Sequence, residues 1–277
     1  MILMLIVVLC YTICSLSDKY AISKIGFNGN ELTFLMAAAT AAFMTVALPF
    51  VDTHVVWGLP AILGILLLAA CKMLEFQMSA LILAEMSAFE LKAWLGICLF
   101  MSYFTDIGMK TQDFSWGKIL FIAVTVLGLF MIAQAGKKEI HYIKIVFPLI
   151  VYLIAKYGYG FVIAASQKYI SSTLTLYFAL ILLALVLMPV AHPVKIFQEK
   201  RNGGLFVVFT KIPNVLGLLG ENAVIAISLV NYSFIQPMIL VVLFFLGLVQ
   251  KEEEHSRLNV AGGIVCIIGI IGFQLVH

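Results

Sequence analysis

Residues 173–191 read TLTLYFALILLALVLMPVA, nineteen positions without a charge, a glycine or an asparagine. An apolar stretch of about 20 residues is the length of helix that crosses the hydrocarbon core of a bilayer. The rest of the chain has the same character. It is 63% hydrophobic and 11% charged over 277 residues, with a mean hydropathy of +1.11. A soluble domain carries roughly 25% charged and 45–50% apolar residues. Folded in water, this chain would have too little polar surface to cover its core. The net charge of +3 is spread along the sequence, which argues against nucleic acid as a partner.

Breaks at clusters of charge, Gly, Pro and Asn divide the sequence into ten apolar windows: 2–25, 31–50, 58–83, 88–105, 117–135, 143–167, 173–191, 205–228, 231–249 and 258–276. Short links such as GFNGN (26–30) and VDTHV (51–55) make neighbours in sequence antiparallel neighbours in space. The longest links, near 106–116, 136–142, 192–204 and 250–257, are too short to hold a soluble domain. Function is therefore expected within the helical bundle, with the lipid bilayer as its surroundings. The first window lacks the basic n-region of a secretory signal and reads as a membrane helix. The expected product is an all-α polytopic protein with ten transmembrane helices, multi-pass in the cell (plasma) membrane, as a monomer or homodimer.

The five cysteines, Cys10, Cys14, Cys71, Cys98 and Cys266, all lie inside apolar runs, with no CxxC and no His-rich spacing. They read as small packing residues rather than disulfides or metal ligands. No metal and no cofactor are expected.

An internal repeat is visible in the acidic residues. A shift of 146 residues (221 − 75) lays Glu75 on Glu221, Glu90 on Gln236, Asp106 on Glu252 and Gly117 on Gly263. At the first helix of each half a shift of 144 lays Lys24 on Lys168 and Ala21 on Ala165. The chain holds only 14 acidic residues, so two acidic coincidences at one shift exceed chance. Each half, 1–137 and 138–277, carries five windows, an odd number, so two homologous halves would sit inverted in the membrane as one integral membrane domain. Inverted repeats of this kind frame solute sites near the bilayer midplane.

The C-terminal stretch 233–272, SFIQPMILVVLFFLGLVQKEEEHSRLNVAGGIVCIIGIIG, resembles the last two helices of the drug/metabolite transporter superfamily in its EamA branch. The resemblance is carried by Pro237, Gly247 and Glu252, then by Gly262, Gly263 and Gly269. The N-terminal half is similar in layout but departs in motif. Leu91 stands where Pro237 stands in the repeat, and Asp106 replaces the family's loop Glu. The Trp-Gly of the family's first helix reads Ile13-Cys14, while Tyr157-Gly158 is closer. The resemblance implies a ten-helix transporter and leaves its substrate open, since the superfamily carries amino acids, amines, sugar phosphates and other metabolites.

Charges within the windows are the functional candidates, because a charge at the bilayer centre costs roughly 2.5–3.5 kcal/mol on insertion scales. Asp18, Lys72, Glu75, Lys156 and Glu221 lie nearest the middle of their windows. Lys72 and Glu75 are spaced i,i+3 and share a helix face, so they can neutralise one another. Asp18 must find a partner elsewhere or reach the interface. Lys19 and Lys211, nearer window ends, are expected to snorkel toward the interface. Lys211 precedes Pro213, which removes a backbone donor and predicts a kink. Glu221, in LLGENAVIA beside Asn222, has no basic residue within a turn of its own helix. It is the leading candidate for a proton-coupling or cation-recognising carboxylate, with pairing to Lys156 or Lys72 as the structural alternative.

In AKYGYG, Lys156, Tyr157 and Tyr159 alternate with Gly158 and Gly160, offering stacking faces and hydroxyls to an organic solute, with a packing GxG and interfacial tyrosines as the structural alternative. Gln236 beside Pro237 suits a cavity wall. The expected function is a secondary transporter moving a small polar metabolite, an amino acid or related compound, by alternating access, with protons as the candidate coupling ion. No Walker A sequence, HExxH or GxSxG is present, and all five histidines fall in links or at the C-terminus. An enzyme is therefore not expected. The alternatives are a non-transporting membrane scaffold or subunit and an intramembrane lipid-modifying enzyme.

Overall fold

The structure is a computed structural model that describes residues 2–85, 91, 93–133, 142–250 and 257–276. The described residues form α1 (Ile2–Tyr20), α2 (Gly29–Ala47), α3 (Leu59–Glu85), α4 (Gly96–Gly108), α5 (Trp116–Ala133) and α6 (Tyr142–Ser166). There follow α7 (Ser172–Ala191), α8 (Pro193–Glu199), α9 (Arg201–Phe209), α10 (Lys211–Ile227), α11 (Leu229–Gln250) and α12 (Arg257–Leu275). Seven stretches among them are long and apolar enough to cross a membrane, from Gly29–Phe50 to Leu229–Leu246. Three shorter apolar helices, Ile2–Asp18, Gly96–Gly108 and Val260–Leu275, fall in the remaining windows. The chain is an all-α, multi-pass membrane protein. Its outward faces fit that setting, since Leu63, Leu66 and Leu67 of α3 and Leu185, Val186 and Met188 of α7 are exposed. Glu90 and Glu252, both used in the repeat alignment, lie outside the described residues, as does the side chain of Lys19.

Helix ends follow local chemistry. Asn28 caps α2, accepting from the Glu31 backbone N–H at 2.8 Å, while its own N–H donates to Glu31 Oε2 at 3.0 Å. This reciprocal box satisfies two donors that the first turn leaves unpaired. Lys200 Nζ adds an ion pair to Glu31 at 2.8 Å. The end of α1 widens into a π turn over Ala21–Ile25 and stops at Gly26, whose φ of 78° suits a residue without a side chain. The window over 205–228 is broken at Thr210 into α9 and α10. Pro213 has no N–H to bond Phe209 and its ring crowds that carbonyl, so the helix restarts just before it. Pro148, Pro189 and Pro237 lie inside α6, α7 and α11.

The chain divides into two compact units. One comprises Met1–Gln77 and Gly158–Ile225, the other Met78–Tyr157 and Ala226–His277. In the first, α2 packs along α7, and α9 packs against α2. Tyr11 and Cys10 of α1 crowd Gly217 of α10, while Val7 crowds Gly220. In the second, α5 packs along α12 and α4 along α11. Small residues set the α5–α12 distance, for a Cβ on Gly128 would come within 2.5 Å of the Cys266 backbone nitrogen and 2.7 Å of the Gly262 carbonyl. Close backbone approach through small residues is how membrane helices gain dispersion contact where lipid offers no hydrophobic drive.

Candidate functional site

In the first unit, Lys72, Glu75 and Glu221 act on the buried Tyr159. Lys72 and Glu75 leave α3 on one face, with Nζ 3.2 Å from Glu75 Oε2. The same ammonium sits 4.0 Å from the centroid of the Tyr159 ring and 6.0 Å from that of Phe76. Tyr159, wholly buried on α6, lies within electrostatic reach of both Glu75 and Glu221. Glu221 on α10 is 2% exposed and accepts a hydrogen bond from the Tyr11 hydroxyl of α1. The two carboxylates that the repeat alignment lays on each other thus both act electrostatically on one tyrosine. Asn222, beside Glu221, is 3% exposed, and its amide nitrogen and oxygen have no hydrogen-bond partner among the described residues.

Asp18 and Lys211 stand apart from this group. Lys211 Nζ bonds Asp18 Oδ1 at 2.6 Å, and the lysine is 0% exposed. The expectation that Lys211 snorkels is corrected. A carboxylate on α1 lies within reach, so the ammonium is neutralised inside the protein instead of extending to water. Asp18 follows Tyr11 by seven residues on α1, roughly 10 Å along the axis. Cys14, between them, donates its thiol hydrogen toward the Thr210 carbonyl at 3.5 Å. Asn214, one turn on from Lys211, donates to Thr40 Oγ1 of α2 at 3.0 Å. Lys211, Asn214 and Glu221 therefore form a polar stripe down α10 whose partners stand on α1 and α2.

In the second unit, Lys156, Tyr157 and Gln236 line a small cavity with Leu95, Cys98, Tyr232 and Ser233, about 10 Å³ in volume. That is room for a single water in a polar setting. Tyr157 and Thr105 share a hydrogen bond of 2.5 Å between their hydroxyls. The Tyr232 hydroxyl donates to the Lys156 carbonyl at 3.3 Å, and Ser102 and Ser233 pair at 2.6 Å. Lys156, Tyr157 and Gln236 are thus brought together around one cavity.

By sequence, Asp106 falls on the link that follows the fourth window. The structure sets it inside α4, 1% exposed. Its carboxylate accepts from the Ser228 hydroxyl at 2.7 Å and from the backbone N–H groups of Leu229 and Val230 at 3.0 and 2.9 Å. It caps the start of α11 from another helix, satisfying orphan donors and favouring the positive end of the helix dipole. Ser228 ahead of an apolar run was the available cap signal; the partner carboxylate, 122 residues away, carried none.

Outside the spans, residues 52–56 clip to 167–171. His54 Nδ1 meets Asp52 Oδ2 at 2.6 Å, and Nε2 meets the Gln167 carbonyl at 2.9 Å. Val56 N–H donates to Tyr169 O at 2.7 Å, and Ser171 N–H to His54 O at 2.9 Å. The carboxylate of Asp52 and then the Gln167 carbonyl raise the His54 pKa above 6.5. The His54 backbone N–H and then its ring lower that of Asp52 below 3.8.

No protein-family model matches the chain, and no curated protein matches its sequence. Among the described residues no group of three or more His, Cys, Asp or Glu could hold a metal ion. The chemistry within reach is that of carboxylates, ammonium groups, phenols and amides in an apolar interior. Such groups bind and release cations or protons and orient a small polar solute.

Proposed function

We propose that the chain is a secondary transporter of a small polar metabolite, an amino acid or related compound, built as ten spans in two inverted five-helix repeats. The observation that carries this reading is the burial of the carboxylates Glu75 and Glu221 inside helices of bilayer-crossing length. Buried carboxylates in membrane helices are expensive and mark ion or solute routes by default. The pairing of helices supports the repeat. With the three shorter apolar helices also crossing, α2 and α7, α4 and α11, and α5 and α12 are the second and seventh, fourth and ninth, and fifth and tenth spans. These pairs are equivalents under the sequence shift, and they are also the pairs that pack along each other. The EamA-like features of the last two helices agree with this arrangement. Glu221 is assigned proton coupling, with Lys72, Glu75, Tyr159 and Asn222 as candidate solute contacts, Asp18 apart from them on Lys211, and Lys156, Tyr157 and Gln236 around a separate cavity. The plasma membrane is the proposed location, with the protein a monomer or homodimer.

The test is accumulation of labelled amino acids by proteoliposomes under an imposed proton gradient. Uptake above protein-free liposomes is expected for at least one solute. Uptake equal to that of empty liposomes across the amino acids would overturn the reading.

A further inference from the structure

A buried lysine can be a structural counter-ion, and Lys72 serves Glu75 in that way. Its second contact goes further. The ammonium lies between a carboxylate at 3.2 Å and an aromatic face at 4.0 Å, and both Lys72 and Glu75 side chains are close to nine-tenths buried. Ring face and carboxylate acting on one desolvated cation are the elements by which proteins recognise organic ammonium groups. Glu221, bonded by the Tyr11 hydroxyl, is a second buried carboxylate acting electrostatically on Tyr159. Asn222, next to Glu221 on α10, has a buried amide whose two polar atoms have no partner among the described residues. Buried amides are rarely left so, and a polar ligand or water is what ordinarily satisfies them.

We propose that Lys72 is a tethered ammonium occupying the seat that the primary amino group of the solute takes. Resting on the transporter reading, this names the substrate class as primary ammonium compounds. A tethered group competes at an effective concentration in the millimolar range or above. Small amines with no other contacts are therefore shut out, and only a solute with further polar groups displaces Lys72. Lys72 thus sets specificity as well as neutralising Glu75.

The direct test removes the tether and returns its lost part. Lys72→Ala deletes the atoms beyond Cβ, and n-propylammonium is the same fragment as a free molecule. The full-length variant in detergent is expected to gain about 2–4 °C in apparent melting temperature with n-propylammonium chloride at tens of millimolar. Sodium chloride and 1-propanol at matched concentration should give no gain. Wild-type protein and Lys72→Met, whose thioether fills the seat without charge, should be unresponsive. Should Lys72→Ala aggregate on purification, n-propylammonium is expected to restore a monodisperse species. A gain equal to that from 1-propanol, a gain in Lys72→Met, or aggregation unrelieved by the amine would overturn the proposal. Binding is read here without transport. A responsive variant of a protein that moves no solute would refute the transporter reading alone, and an unresponsive one beside active wild-type transport would refute the seat alone.

Discussion

Lys211, Asp18 and Asp106 share a physical problem at the level of single residues. An ionised group taken out of water costs several kcal/mol after relaxation, and a partner with good geometry offsets it. Lys211 and Asp18 meet at 2.6 Å with the lysine wholly buried. Lys211→Met is accordingly expected to lower stability by about 3 kcal/mol, by leaving a carboxylate in an apolar setting. The double variant Asp18→Asn with Lys211→Met should recover most of that loss. A double-mutant cycle of thermal unfolding in detergent checks it, and additive losses would contradict a coupled pair. Asp106 holds the hydroxyl of Ser228 and two backbone N–H groups at the start of α11. Asp106→Ala should cost about 3 kcal/mol, since hydrogen bonds to a charged group contribute roughly 1.5–3 kcal/mol each and are not additive. Amide exchange at Leu229 and Val230 should accelerate in that variant, and unchanged exchange would rule out the capping role.

At the scale of helices and links, the apolar windows were legible because bilayer length is a local property of sequence. The run over 173–191 became Ser172–Ala191, and the window over 31–50 became α2 with its short 3₁₀ continuation. The break at Thr210 was legible in part, since Pro213 signals a kink without saying where the helix restarts. Partners across helices were not legible. Whether Lys211 snorkels or is neutralised depends on which helix brings a carboxylate beside it, and nothing in residues 205–228 encodes that. Interfaces built from small residues make a sharp test. Gly128→Val would drive side-chain atoms into the Cys266 and Gly262 backbone of α12. It should part α5 from α12 and abolish a monodisperse species in size-exclusion chromatography, whereas Leu127→Val on the exposed face should not. The His54 clip tests electrostatics at the membrane edge. With its pKa raised, His54 contributes fully below 6.5, and that contribution fades as pH rises through the folded value. With its pKa lowered, Asp52 contributes above 3.8 and is lost as pH falls through its depressed value. Intrinsically corrected protection of the Val56 and Ser171 amides should be higher near about pH 5.5 than near about pH 8.5. His54→Ala should flatten the difference, and pH-independent protection in the wild type would contradict the assignment.

For the molecule as a whole, the proposed repeat ties sequence to site. Glu75 and Glu221 align at a shift of 146 residues (221 − 75), and in the first unit both lie within reach of Tyr159. The alignment could propose equivalence but not proximity, which arises only when α3, α6 and α10 are folded. Likewise, Lys156, Tyr157 and Gln236 were candidates by residue type, while their common cavity is a product of packing. Proton coupling is proposed for Glu221, buried on α10 and held by Tyr11. The most direct measurement is uptake into proteoliposomes across external pH for wild type and Glu221→Gln, using the amino acid that accumulates best. Proton coupling through Glu221 predicts pH-dependent accumulation in the wild type and, in the variant, a fall of roughly tenfold or more in driven uptake with the pH dependence gone. Wild-type uptake with unchanged pH dependence in Glu221→Gln would contradict it.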